Sequence, residues 1–249
     1  MQWLAMIIMY SEREITFARD RLPALAGIAK KFCFIRKDRY LAGLWEEDLN
    51  IQLAWYRNWS GNPPICDYQA PSWTPISVSG PVCHLQNLTG RNKNYGPETE
   101  ARIISCRVDL ARKDSPFGGV MGGTLTVEVF AFDASQLPWS WHATTVMDRD
   151  ARPFEDFGQY TNIQYMVLGF RKGDQDADME LHSNPPSDPH VIAYGSWEGL
   201  FLLPMDDDTF HRVGFFDSHH CFGYNKDSSG PSTARDLLSS ALRRRLKIT

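Results

Sequence analysis

No apolar run in this sequence approaches the ~20 residues that a helix needs to cross a bilayer. The run at the start, "WLAMIIM" over residues 3–9, lacks the basic flank and the small-residue cleavage site of a secretory signal. It reads as a buried helix, and a chain that opens inside a helix raises the expectation of a domain before it. Paired cysteines are missing too. Cys33, Cys66, Cys83, Cys106 and Cys221 are odd in number and irregularly spaced, and no two stand in the C-x-x-C spacing that brings thiolates onto one metal or redox centre. A reducing, cytoplasmic setting fits best. The sequons Asn58-Trp59-Ser60 and Asn87-Leu88-Thr89 would matter only in a secreted chain. An excess of positive charge is also absent: the formal net charge is −4, which gives no overall attraction to phosphate backbones and argues against nucleic acid as a partner.

The motifs of common chemistry are equally scarce. There is no Gly-x-Ser-x-Gly elbow and no cysteine in a recognisable histidine-paired setting, although a triad assembled from distant positions leaves no local motif. "FGGVMGGT" (residues 117–124) is rich in glycine but lacks the Gly-Lys-Ser/Thr ending of a phosphate loop. It runs into a strand pattern, so it reads as a turn or bulge with close backbone approach. In "DSHHCFGY", His219, His220 and Cys221 follow His211, but neighbouring side chains of an extended chain diverge and no second spaced pair completes a zinc set. Asp206, Asp207 and Asp208 lack the alternating spacing and distant glutamate of a calcium loop and read as a hairpin tip. Glu46 and Glu47 fall on the polar side of a helical pattern, where charges are normally solvated. No catalytic, cofactor-binding or metal-ligating residue is therefore assigned.

What is present is core-forming material. The 249 residues are 43% hydrophobic, enough for one large domain or two modest ones. In "ARDRLPALAGIAKKF", Asp20 stands as an N-cap, Pro23 falls in the first turn, and Leu22, Leu25, Ile28, Ala29 and Phe32 share one face. In "RYLAGLWEEDLNIQLAWY", Leu41, Leu44, Trp45, Leu49, Leu53 and Tyr56 keep the same period, which predicts a second helix packed on the first. After "QAPSWTPISVSGPV" the period becomes two. "RIISCRVDL" puts Ile104, Cys106, Val108 and Leu110 on one face; "TLTVEVFAF" does the same with Leu125, Val127, Val129 and Ala131. "NIQYMVLGF" is apolar on both faces, as a central strand is, and "GLFLLPMDDDTFHRVGFF" reads as a hairpin. Residues 173–190 are acidic and proline-containing, hence a surface loop and a candidate partner contact. Trp45, Trp55, Trp73, Trp139 and Trp141 read as core filler, with Trp73 locking helices against sheet at the bend.

Beyond residue 228 a linker leads to a short helix, with Thr233 and Asp236 at capping-box spacing before Leu237, Leu238, Ala241 and Leu242. Arg243, Arg244, Arg245 and Lys247 suit its C-terminal end; a targeting or anionic-membrane patch is the alternative. The expected organisation is a helical segment over residues 1–68, a mainly antiparallel β region over 69–227 and a basic tail over 228–249. The fold class is α+β, with N-terminal helices packed on an antiparallel sheet, sandwich or barrel.

Five blocks in order, "YSEREITFARDRLPALAGIAKKF", "RYLAGLWEEDLNIQLAW", "APSWTPISVSGPV", "PFGGVMGGTLTV" and "GLFLLPMDDDTFHRVGFF", resemble the C-terminal region of fungal heterokaryon incompatibility (HET) domain proteins. The resemblance runs over residues 3–216. One position departs: the family pattern Ala-Pro-Ser-Trp-Ser-Trp-Ala-Ser has a second tryptophan two places after Trp73, and here Pro75 stands there. The family's N-terminal domain, which resembles the TIR fold and carries a Trp-Ile-Asp-x-x-Cys-Ile-x-Gln stretch, has no counterpart in these residues. The resemblance thus implies a non-catalytic accessory or protein-interaction region, in the setting of nonself recognition and cell death, with a HET/TIR-like domain in cis or trans as partner. An enzyme, hydrolytic or nucleotide-processing, with a dispersed site is the competing expectation.

Overall fold

The N-terminal apolar run forms α1 (Gln2–Ser11), which buries Trp3, Leu4 and Ile7. The structure, a computed structural model, describes residues 2–57, 68–84, 98–99, 101–133, 145–147, 163–172, 195–217 and 243–249. Ser11 ends α1 by donating its hydroxyl to the Ile8 carbonyl at 2.6 Å and accepting the Val82 N–H at 2.9 Å. A 3-10 turn (Ala18–Asp20) leads into α2 (Arg21–Arg36), whose buried side carries Leu22, Leu25 and Ala29. Asp20 occupies the N-cap position without capping. Its backbone is already helical (φ −88°, ψ −3°), because the 3-10 turn runs straight into the helix. Lys37 stops α2 in the left-handed region (φ 55°), its N–H bonded to the Cys33 carbonyl at 2.8 Å.

The second helix expected from "RYLAGLWEEDLNIQLAWY" does not form. The segment makes a tight hairpin, β1 (Tyr40–Leu41) and β2 (Leu44–Trp45), then a single turn α3 (Leu49–Gln52) and strand β3 (Trp55–Arg57). The cause is the Ala42-Gly43 pair, both at positive φ (48° and 107°), the geometry of a two-residue hairpin turn. Gly43 also lies against Ile76, where an added Cβ would come within 2.8 Å of Cγ1. Leu41, Leu44, Trp45, Leu49 and Leu53 are nevertheless buried, so the apolar set is the expected one on a different backbone. Glu46 and Glu47 consequently follow a hairpin strand rather than lining a helix.

β4 (Val82–His84) pairs antiparallel with β3. The larger sheet contains β5 (Glu98–Thr99), β6 (Arg102–Leu110), β7 (Val120–Asp133), β8 (Thr145–Met147), β9 (Gln164–Lys172), β10 (Gly195–Pro204), β11 (Phe210–Asp217) and β12 (Arg243–Ile248). Its order is β5-β9-β10-β11-β12-β7-β6, with β8 on β11, and a β7–β9 pairing closes five strands into a barrel. Among the described residues its pairings are antiparallel except β11–β12. The architecture is α+β, helices with a mainly antiparallel barrel.

Leu125, Val127, Val129 and Ala131 are buried as the alternation predicts. They join Met166, Leu168, Leu200, Leu202, Phe215, Leu246 and Ile248 in one cluster to which every barrel strand contributes. Opposite walls of a closed barrel meet only inside it, so this cluster is the interior. Tyr165, Phe201 and Phe216 form a second aromatic group, with Tyr165 and Phe201 centroids 4.4 Å apart, so β9 is buried on both faces. In β6 one expectation fails: Ile104 is exposed and Ile103 packs on the core. A bulge between Ile103 and Ser105 shifts the alternation by one residue before Cys106. The β10–β11 hairpin forms as expected, with Asp206, Asp207 and Asp208 exposed at its turn and Asp207 accepting the Thr209 hydroxyl at 2.5 Å.

The basic end of the expected tail helix is also corrected. Residues 243–248 are β12, because Leu246 and Ile248 alternate into the barrel against Val127 and Leu125 while Arg245 and Lys247 face out. Closing a barrel satisfies two strand edges at once, a gain that a lone basic helix end does not offer. The stretch with Thr233, Asp236, Leu237, Leu238, Ala241 and Leu242 lies outside the described residues.

Candidate functional site

The bend between helices and sheet is built from residues 68–80. Its ends, Ala70, Ile76 and Val78, belong to the helical cluster with Trp3, Leu25 and Trp45, whereas Trp73 belongs to the barrel cluster. The segment therefore crosses from one core to the other and back. Trp73 is fully buried, its carbonyl accepts the Trp55 indole N–H at 3.1 Å, and it packs beside Gly123, where a Cβ would lie 3.4 Å from its Cζ2 and 2.7 Å from Pro71 Cγ. The expected close backbone approach of the glycine-rich stretch is thus realised on β7.

Ser72 is the polar hub of this joint. Its N–H and hydroxyl both donate to the Thr249 carbonyl, and its hydroxyl oxygen accepts the Arg212 backbone N–H at 3.0 Å. Arg212 is 1% exposed. Its guanidinium donates to the carbonyls of Leu53 (2.8 Å) and Trp55 and lies 3.5 Å from the centroid of the Trp55 ring. Carbonyls and a ring face replace water around a cation that has left it. Beside it His84 donates Nε2–H to the Ile51 carbonyl at 2.8 Å. Burial holds its pKa down to about 4, with Arg212 adding to the effect against the bond to Ile51.

These environments suit structure better than proton or acyl transfer. Imidazole at His84 is a weak base with its Nε2–H committed to a backbone carbonyl. Burial pushes the Cys106 thiol up to about 12 and raises the Cys83 thiol as well, which withholds the thiolate that a nucleophile needs. His211 sits on β11 opposite Leu203. Among the described residues no three His, Cys, Asp or Glu side chains gather as a metal site. Glu46 pairs with Arg39 on the surface, and Asp38 and Asp48 both hold Arg36, at 3.2 and 2.7 Å. Trp139, Trp141, His219, His220, Cys221, Cys66, both sequons and the acidic stretch 173–190 lie outside the described residues.

The surface feature missed in the sequence is the outer side of α2. Phe34 and Ile35 are 85% and 77% exposed, and Ile28, expected in the core, is 43% exposed. Lys30 and Lys31 accompany them, and α2 contains no acidic residue. The signal was legible: at helical spacing Phe34 and Ile35 fall away from the face shared by Leu22, Leu25 and Ala29. The expected helix, however, stops at Phe32, two residues short of the most exposed pair.

No family model, no curated protein and no solved structure matches this chain.

Proposed function

We propose that this chain is a non-catalytic accessory and protein-interaction region, of the kind that accompanies the signalling domain of fungal heterokaryon incompatibility proteins, and that its biological setting is nonself recognition and cell death. The observation that carries this reading is the uncovered apolar side of α2. Its opposite side is anchored in a closed core, yet Phe34 and Ile35 remain in solvent, and exposed apolar surface of this kind marks association. The sequence blocks that resemble the incompatibility family support the same reading, since they supply α2, the β1–β2 hairpin, the joint and the β10–β11 hairpin. The partner in this reading is a TIR-like domain, in cis or in trans.

The test has two arms. The purified chain is incubated with NAD and the release of nicotinamide followed; turnover that persists through purification and is lost on heat denaturation overturns the non-catalytic reading. In a fungus undergoing incompatible fusion, excess chain should delay cell death by occupying the partner, and the Phe34→Asp/Ile35→Asp double variant should not. Equal delay by both chains would defeat the role of this surface.

A further inference from the structure

The outer side of α2 has a definite shape and charge. At 100° per residue, Ala24, Gly27, Lys31 and Phe34 lie opposite the buried Leu22, Leu25 and Ala29, with Ile28 and Ile35 along one border. Gly27 is at the middle of this strip, and a Cβ there would meet nothing within 4 Å. Glycine inside a helix weakens it, and here no contact among the described residues requires the absent side chain. Apolar knobs at Phe34 and Ile35 therefore stand about two turns beyond a notch at Ala24 and Gly27, with Lys31 on the turn between. The charge is of one sign: Lys30 and Lys31 are exposed and form no ion pair among the described residues.

Resting on the interaction reading above, we propose that this face docks a helix of another protein whose apolar ridge is bordered by carboxylates, with Gly27 as the point of closest approach. A ridge of i, i+3 and i+4 side chains sits over the notch and along Ile28, with Phe34 and Ile35 gripping its far end, as helices pack ridge into groove. A carboxylate on one flank meets Lys30, and Lys31, within the strip, lays its methylene stem along the ridge so that its ammonium reaches a carboxylate at the border. A second copy of the same face is disfavoured, because it would set lysines against lysines. A lipid surface matches the lysines but gains nothing from a notch, since acyl chains reward inserted bulk.

The probe is a pair of synthetic helical peptides with the same leucine ridge, one flanked by glutamates and the other by lysines, titrated with the full chain by fluorescence anisotropy. The glutamate peptide should bind, more weakly as salt rises, and the lysine peptide should not. Phe34→Asp with Ile35→Asp should weaken binding at least about thirty-fold. Gly27→Leu separates docking from folding: it should raise Tm by about 2–4 °C, since leucine favours the helix and meets open space, while weakening the peptide about ten-fold or more. If both peptides bind equally and both lose binding with Phe34→Asp, the acidic partner is wrong and the interaction reading stands. Failure of the glutamate peptide to bind overturns the docking proposal, as does binding unaffected by the face variants. Preferential binding to phosphatidylserine vesicles, or a dimer in sedimentation that Phe34→Asp dissolves, assigns the face to lipid or to self-association and overturns it likewise.

Discussion

Replacing Trp73 by alanine tests whether the bend is a packing joint. The indole is fully buried among residues of the barrel cluster, so its removal exposes or empties on the order of 200 Å² of contact surface. At ~25 cal/mol per Å² the upper bound is about 5 kcal/mol, before allowing for the compact unfolded chain and the retained Cβ. One term runs the other way. Nε1 of Trp73 is buried without a hydrogen-bond partner, and deleting it relieves a desolvation cost of about 1 kcal/mol or more. The carbonyl of residue 73 still accepts the Trp55 N–H after substitution, so no backbone bond is lost. The balance is a destabilisation of about 3 kcal/mol, at the lower end of aromatic-to-alanine changes, and a fall in Tm of about 6–12 °C. Trp73→Phe keeps most of the buried area and removes the unpartnered N–H, so it should cost no more than about 1 kcal/mol. Both variants are read by urea denaturation followed by circular dichroism. Equal losses for alanine and phenylalanine would mean that the indole N–H is engaged, and an unchanged midpoint for Trp73→Ala would refute the joint.

Arg212→Met removes the donors to the Leu53 and Trp55 carbonyls and should cost roughly 2–5 kcal/mol in the same denaturation; Arg212→Lys should recover little of it, because an ammonium cannot span both carbonyls while covering the ring. His84, with its folded pKa depressed to about 4, is protonated first in the unfolded chain, so its contribution is complete above about pH 6.5 and is lost as pH falls toward 4. The loss is on the order of 3 kcal/mol, and His84→Gln should flatten the stability profile over that window, measured as the denaturation midpoint against pH. Gly123→Ala places a Cβ 2.7 Å from Pro71 and 3.0 Å from the Arg107 carbonyl and should destabilise by about 1–3 kcal/mol, whereas Gly122→Ala, whose nearest contact is Asp109 Oδ2 at 3.4 Å, should change Tm little.

Periodicity located the buried residues more reliably than the backbone that carries them. β7, β9 and the β10–β11 hairpin were legible because period-two alternation, a two-sided apolar run and an acidic turn each have one simple solution. Leu41, Leu44, Trp45, Leu49 and Leu53 satisfied the helical period equally well as a hairpin followed by one helical turn, and only the φ > 0 geometry at Ala42 and Gly43 separates the two. β12 was hidden for a different reason. In "RRRLKI" the alternation has just two apolar members, Leu246 and Ile248, and their partners Val127 and Leu125 lie more than a hundred positions away. The same distance hid the joint: nothing local in the sequence links Ser72 to Thr249, or Arg212 to the carbonyls of Leu53 and Trp55. Trp73 was legible because an aromatic set among prolines at a change of period has little else to do.

The exposure of Phe34 and Ile35 follows from how α2 is held. Trp3 packs edge-on against Phe32 at 5.1 Å and Trp45 at 5.2 Å, and Tyr40 stands 5.3 Å from Trp45, so the buried side of the helix rests on an interlocked aromatic nest. Leu22, Leu25 and Ala29 fix the rotation of the helix at one end, and the left-handed stop at Lys37 fixes it at the other. Beyond the stop, Asp38 accepts the Arg39 N–H at 2.7 Å and an Arg36 nitrogen at 3.2 Å, which ties the last turn to the hairpin that follows. A helix fixed at both ends cannot turn its outer side chains inward without breaking the nest. Covering Phe34 and Ile35 therefore requires matter from outside this packed unit, and the sign of the neighbouring lysines sets what that matter must carry.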